Sequence, residues 1–304
     1  MSSWIRYWWR VARRTLSIWL DINAFAQAAS LAFFTLFSIA PVVIVIVSII
    51  GFFFGEQAAE GQIVGQLERT IGAEPAAVVE SAVARSRLEG GGLWATIAGV
   101  AAMLVGATAV FGQMQSALNA VWEVAPKPSR NSLFLLARKR LASLSIVLAI
   151  GLIMLGSLGL SVALNATVRF ATDWLPLPAV ALKGMDWTLS LLVISSLFAI
   201  IYRALPDVQL GWRDVLPGAL LTALLFSLGR ILIALYLTHT ATASTFGAAA
   251  SVVLLLLWVN YSSLILLFGA AWTRAQLEAR GKPIRPRSVA VRVRRELLNE
   301  DPDA

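Results

Sequence analysis

The chain has 304 residues, 58% hydrophobic and only 14% charged, where an ordinary soluble domain is about 25% charged. This composition excludes a soluble globular enzyme and indicates an integral membrane protein with little mass outside the bilayer; the 11 Trp and 14 Phe suit lipid-facing and interfacial positions. The absence of Cys excludes disulfides and thiolate metal sites, and the net charge of +8 reads as Lys and Arg collected on one membrane flank rather than as a nucleic-acid surface.

Trp4–Leu20 predicts an amphipathic helix. At 100° per residue Arg6, Arg10, Arg13 and Arg14 share one arc, and Trp4, Trp8, Val11, Ile18 and Trp19 share another. Basic residues at the headgroups with Trp below them describe a helix lying in the interface, in contact with anionic lipids. Residues 22–55 then carry no charge. A helix of that length exceeds a ~30 Å hydrocarbon core, so the run must tilt, bend or lie partly in the interface. Pro41 is the expected kink, with Ser38 near enough to satisfy a freed carbonyl, and the first span is placed near Ser30–Phe54.

Glu56–Glu89 changes character, with six Glu against three Arg. Apolar residues at helical spacing predict a short amphipathic helical segment on the outer side. Further spans are expected near residues 93–112, 141–166, 180–202, 216–237 and 248–272, with a basic tail from residue 274. Gln113, Gln115 and Asn119 crowd the end of the second span and are candidates for a cytoplasmic vestibule, a place in the headgroup region with no specific role being the plainer reading. Residues 1–20 carry +4, the 123–140 loop +4, and the tail +3, whereas the outer segment carries −3. These signs fall consistently on two sides only with six spans and both termini cytoplasmic. The expected fold is therefore all-α and polytopic.

The motifs YRALP, WRDVLPGALLTALLF and LLLLWVNYSSLILLFGA, with AFFTLFSIAP and FGQMQSALNAVW before them, resemble the YihY/BrkB family of bacterial inner-membrane proteins. The resemblance spans roughly Asp21 to Thr273. It implies a six-helix fold in the inner membrane, a link to virulence or serum resistance, and no agreed reaction. Some members carry an older ribonuclease BN label, widely regarded as misassigned. The sequence departs from the usual pattern at Phe246-Gly247, where Tyr-Gly is common, at Asn260, where an aromatic residue is frequent, and at Ala271, where Glu often follows Gly-Ala.

Arg230 is the residue of greatest chemical interest in the spans. It sits mid-helix in an apolar run, and the one Asp or Glu in a predicted span is Asp186, near the start of the 180–202 span and one helical turn from Lys183. An Arg near a helix centre costs about 2.5–3.5 kcal/mol to insert, so it is expected to snorkel, cap carbonyls, or hold an anionic group in a cavity. Asn260 and Tyr261 are candidate companions at such a ligand site; bonding across helices is the plainer reading for both. Ser38 and Pro41 read as a kink or gate.

Catalysis has little support. One His, His239, lies on the outer linker, and Asp21, Glu123, Asp207, Asp214 and Glu278 fall in separate segments without metal-binding spacing. No catalytic residue, metal or cofactor is expected. The functional expectation is a non-enzymatic protein that binds or translocates an anionic or amphipathic solute, a lipid included. Two alternatives stand beside it: an envelope scaffold acting through the outer amphipathic segment, and, with least support, a membrane ribonuclease.

Overall fold

A computed structural model describes residues 3–38, 65, 109–127, 179–239 and 247–293. The described chain is mostly helical: α1 (Ser3–Asp21), α2 (Ala24–Ser38), α3 (residues 109–121), α4 (Ala179–Ala204), α5 (Trp212–His239) and α6 (Gly247–Ala279). Two three-residue strands, β1 (Val124–Pro126) and β2 (Ala290–Arg292), pair antiparallel with Val124 opposite Arg292. This ribbon is a small addition to an otherwise helical architecture.

Helices α5 and α6 each contain a stretch long and apolar enough to cross a membrane, Trp212–Ile233 and Val252–Ala279. Helices α1 and α2 together make a third candidate, bent by 60°. Asn23 carries the bend at φ 54°, a left-handed conformation that Asn tolerates better than most residues. On α5, Leu216, Leu220, Leu224, Leu228, Ile231, Leu232 and Leu235 are all exposed. A continuous exposed apolar face of this length fits a hydrocarbon solvent, where backbone groups are satisfied inside the helix. Hydroxyls follow the same rule: Ser38, Thr222, Ser262 and Thr273 each donate to the carbonyl one turn back in their own helix.

The expected spans at 216–237 and 248–272 fall on α5 and α6, and that at 180–202 falls on α4. The span at 30–54 starts within α2. The span at 141–166, the outer segment 56–89 apart from helical Gly65, most of the span at 93–112, and Pro41 lie outside the described residues.

The α5–α6 contact is close because small residues face it. A methyl at Gly218 would meet the Gly269 carbonyl oxygen at 2.8 Å, and one at Gly229 would overlap the Tyr261 ring. Tyr202 from α4 joins the same seam: its hydroxyl donates to the Leu266 carbonyl at 2.8 Å and lies 2.7 Å from Thr222 Oγ1.

Helix α1 corrects one detail of the sequence reading. The arc assigned to lipid packs instead against α6, except for Trp4, which stays exposed. Val11, Thr15 and Ile18 are buried, the Trp8 ring stacks on Trp272, and Trp19 Nε1 donates to the Leu264 carbonyl at 3.2 Å. The exposed apolar residues are Trp4, at the start of the helix, and Ile5, Trp9, Leu16 and Leu20, flanked by exposed Arg6, Arg10 and Arg13. The helix thus has three faces, because burying one apolar stripe on a protein neighbour leaves the next one outward.

Candidate functional site: a polar cavity at the charged end of the bundle

The start of α2, the ends of α3, α4 and α6, and the start of α5 meet at one end of the molecule, together with α1 and the segment after α6. Gly281 turns that segment back at φ 67°, with Lys282 N donating to Leu277 O at 3.0 Å and Gly281 N to Glu278 O at 3.0 Å. This is the paired-bond pattern that ends helices at a left-handed glycine. The chain then crosses the helix ends. Lys282 Nζ reaches the Asp214 carboxylate at 2.6 Å, at the first turn of α5, and Arg287 donates to the carbonyls of Arg203, Ala204 and Val208. The Arg287 contacts to Arg203 and Ala204 satisfy carbonyls that the end of α4 leaves without partners, and the Lys282 contact pairs a carboxylate.

Beside this strap lies a cavity of about 720 Å³ between α1, α3 and α6, bordered by Arg14, Asp21, Gln115, Asn119, Glu123 and Arg274. Apolar groups, among them Ile18, Ile22 and Val124, complete the wall. Arg274 is its central charge. Its side chain is only 3% exposed, yet each guanidinium nitrogen is occupied: Nε donates to Glu278 Oε1 at 2.7 Å, Nη1 donates to the Val121 carbonyl at 2.6 Å, and Nη2 forms an ion pair with Glu123 Oε1 at 2.9 Å. A planar fork can serve three acceptors on two elements at once, which an ammonium cannot do in a fixed geometry. Arg14 adds a second guanidinium, with Nε at 2.7 Å from Glu278 Oε2. Glu278 therefore bridges α1 and the Arg274 fork.

Glu123 sits at φ 51° directly after α3, where Gly or Asn would be less strained. Its conformation directs the chain into β1 and its carboxylate onto Arg274.

Gln115 and Asn119 border the cavity and also bind a buried carboxylate. Gln115 Nε2 donates to Asp207 Oδ1 at 3.3 Å and Asn119 Nδ2 to Asp207 Oδ2 at 2.9 Å, while Asn119 Oδ1 accepts from Asp207 N at 2.8 Å. Gln113 lies apart from them, donating to Gln27 Oε1 on α2 at 3.3 Å. Of the acids noted in the sequence, Asp207 takes the two amides, Asp214 takes Lys282, Asp21 accepts from Ser17 Oγ at 3.2 Å, and Glu123 and Glu278 share Arg274.

Arg230, Asn260 and Tyr261 are placed elsewhere. Arg230 is half-buried on α5 and has an interaction partner. Tyr261 donates its hydroxyl to the Leu225 carbonyl at 3.3 Å, and Asn260 Oδ1 is buried without a hydrogen-bond partner among the described residues. None of the three borders the polar cavity, nor the smaller apolar cavity of about 300 Å³ beneath Phe198, Phe226 and Trp258. Ser38 bonds Phe34 O at 2.6 Å, and its partner in the expected kink, Pro41, is outside the described residues.

Arg274 escapes a sequence reading because an Arg at the end of an apolar span looks like an ordinary flanking charge. The available signal is its setting, Ala270, Ala271 and Ala275 around it and Glu278 one turn on, since small neighbours mark a face packed against another helix.

The sequence profile of the family described as Virulence factor BrkB matches residues 16–292. This chain belongs to the BrkB family. A UPF0761 membrane protein from Pseudoalteromonas translucida is 24% identical over 273 residues, covering 88% of this chain and 84% of that protein. Another, from Mannheimia succiniciproducens, is 28% identical over 263 residues, covering 83% of this chain and 84% of its own length. A third, from Xanthomonas campestris, is 26% identical over 93% of this chain, which spans only 62% of that relative. No solved structure matches. The chain is thus an integral membrane protein of a family whose printed names carry no reaction.

Proposed function

We propose that this BrkB-family chain is a non-enzymatic, multi-pass protein of the bacterial inner membrane that binds or translocates an anionic or amphipathic solute, with both tails in the cytoplasm. The observation that carries this reading is the cavity of about 720 Å³ walled by two guanidinium groups and the carboxylates Asp21 and Glu123 on one part and by Ile18, Ile22 and Val124 on another. Sites for small ligands commonly have volumes of about 300–1,000 Å³ and combine apolar walls with a few directed polar groups. The mixed lining matches a molecule with a charged head and an apolar body, a phospholipid or a fatty acid being the simplest members of that class. The basic helix α1 and the strap after α6 share the cavity's end of the bundle, which supports a cytoplasmic face under the positive-inside rule.

Native mass spectrometry of the purified protein tests the solute. Retention of an acidic lipid or anion is expected, lost on Arg274→Gln; a protein that retains no adduct and takes up none would remove the basis of the reading. Orientation is tested separately by Ser288→Cys, an exposed position in a chain without cysteine. Labelling from the cytoplasmic side only is expected, and labelling from the outside would reverse the orientation.

A further inference from the structure

The polar cavity holds a carboxylate that differs from its neighbours in how it is held. Glu278 uses both oxygens, one on Arg274 and one on Arg14, and sits on α6 one turn from Arg274. Glu123, which borders the cavity, has a single ion-pair contact, Oε1 to Arg274 Nη2 at 2.9 Å, and its side chain is 45% exposed. Of the three acceptors on the Arg274 fork it is the least constrained, since the Val121 carbonyl is fixed by the backbone. It is also a residue in a left-handed conformation where the backbone alone would favour Gly. A position that tolerates such strain is one where the side chain has a use.

Charge points the same way. Arg14 and Arg274 face three carboxylates, Asp21, Glu123 and Glu278, so an incoming anion is accommodated by exchange for one of them, and of the two on Arg274 Glu123 is the less firmly held. Withdrawing Glu123 frees Nη2 for one monoanion, and Arg14 borders the same cavity. We propose that a monoanionic oxyanion, of the phosphodiester or phosphate type, binds in this cavity by displacing Glu123 from Arg274. Glu123 is then an intramolecular competitor that keeps the guanidinium paired until the solute arrives, and Arg14 and Arg274 are the receptor groups. This inference rests on the reading of the cavity as an anionic-solute site and adds the receptor, the charge class and the exchange. Guanidinium groups suit phosphate oxygens because their N–H groups lie in a plane, and a buried Arg left unpaired would be unfavourable, so a resident carboxylate is the expected stand-in.

The test uses the full chain in neutral detergent. Isothermal titration is run with inorganic phosphate and, separately, with a short-chain phosphatidylglycerol below its micelle concentration. Glu123→Gln keeps the side chain's shape and an oxygen acceptor but removes its charge, so affinity is expected to rise about five- to tenfold. Arg274→Gln is expected to abolish binding. Should that variant fail to fold, Arg14→Gln, at a 43% exposed side chain, is expected to weaken binding several-fold. Binding of the lipid alone assigns the headgroup as the source, and binding of inorganic phosphate assigns a soluble anion; either supports the shared chemistry. Wild-type binding that falls with the Arg variants but is unchanged in Glu123→Gln would overturn the displacement and leave the cavity reading standing. Absence of wild-type binding to either probe, or binding indifferent to both Arg14 and Arg274, would overturn both.

Discussion

Gly218→Ala measures how closely α5 and α6 must approach. A methyl at Gly218 would stand 2.8 Å from the Gly269 carbonyl oxygen and overlap Thr273 Oγ1. The first obstacle is backbone and cannot rotate away, so the helices must part by about half an ångström or more to restore an ordinary contact. Overpacking of this kind costs about 1–3 kcal/mol. Thr273 must also leave the rotamer in which it donates to Gly269 O at 2.8 Å, at about 1 kcal/mol. Against this, Ala is favoured over Gly inside a helix by about 1 kcal/mol. The net expectation is a loss of about 1–3 kcal/mol, read as a lowered midpoint in denaturant titration of the protein in mixed micelles. Gly229→Ala is the internal comparison. There the obstacle is the far end of the half-buried Tyr261 side chain, which can swing at the expense of its 3.3 Å bond to Leu225 O, so the loss should be smaller. A Gly218→Ala protein as stable as wild type, or less affected than Gly229→Ala, would refute the close-approach reasoning.

Asp207→Asn should cost only about 1 kcal/mol: Asn119 is pinned by its bond from Asp207 N and keeps its acceptor, while Gln115 can turn its amide to accept from the new amide group. Asn119→Leu leaves Asp207 Oδ2 and the Asp207 backbone N–H without their partner, and a loss of about 2–4 kcal/mol is expected in the same unfolding assay. Arg287→Met removes the donors to three carbonyls at the α4–α5 turn, and faster proteolysis of the strap is expected, monitored by the rate of C-terminal cleavage in detergent. For Arg230, binding of phosphate by Arg230→Leu at wild-type affinity is expected if the oxyanion site is at Arg274; loss of binding with the fold intact would move the site back to α5.

Which segments are apolar helices was legible in the sequence, because a membrane selects for composition over a whole turn-by-turn run and needs no knowledge of partners. The predicted spans over 180–202, 216–237 and 248–272 each fall on a helix for this reason. The amphipathic character of α1 was legible too, but not its orientation. Val11 and Ile18 on one face, and Trp9 and Leu16 on the next, are equally apolar in sequence, and only the packing of α6 decides which pair is buried. The polarity of Gln115 and Asn119 was visible, whereas their shared partner Asp207 lies on a distant turn and could not be assigned from spacing. The same limit governs the two arginines. Helical periodicity is a local quantity, so it singled out Arg230 in the middle of an apolar run. The burial of Arg274 is a long-range quantity, created where the end of α3 and the face of α1 close over the end of α6.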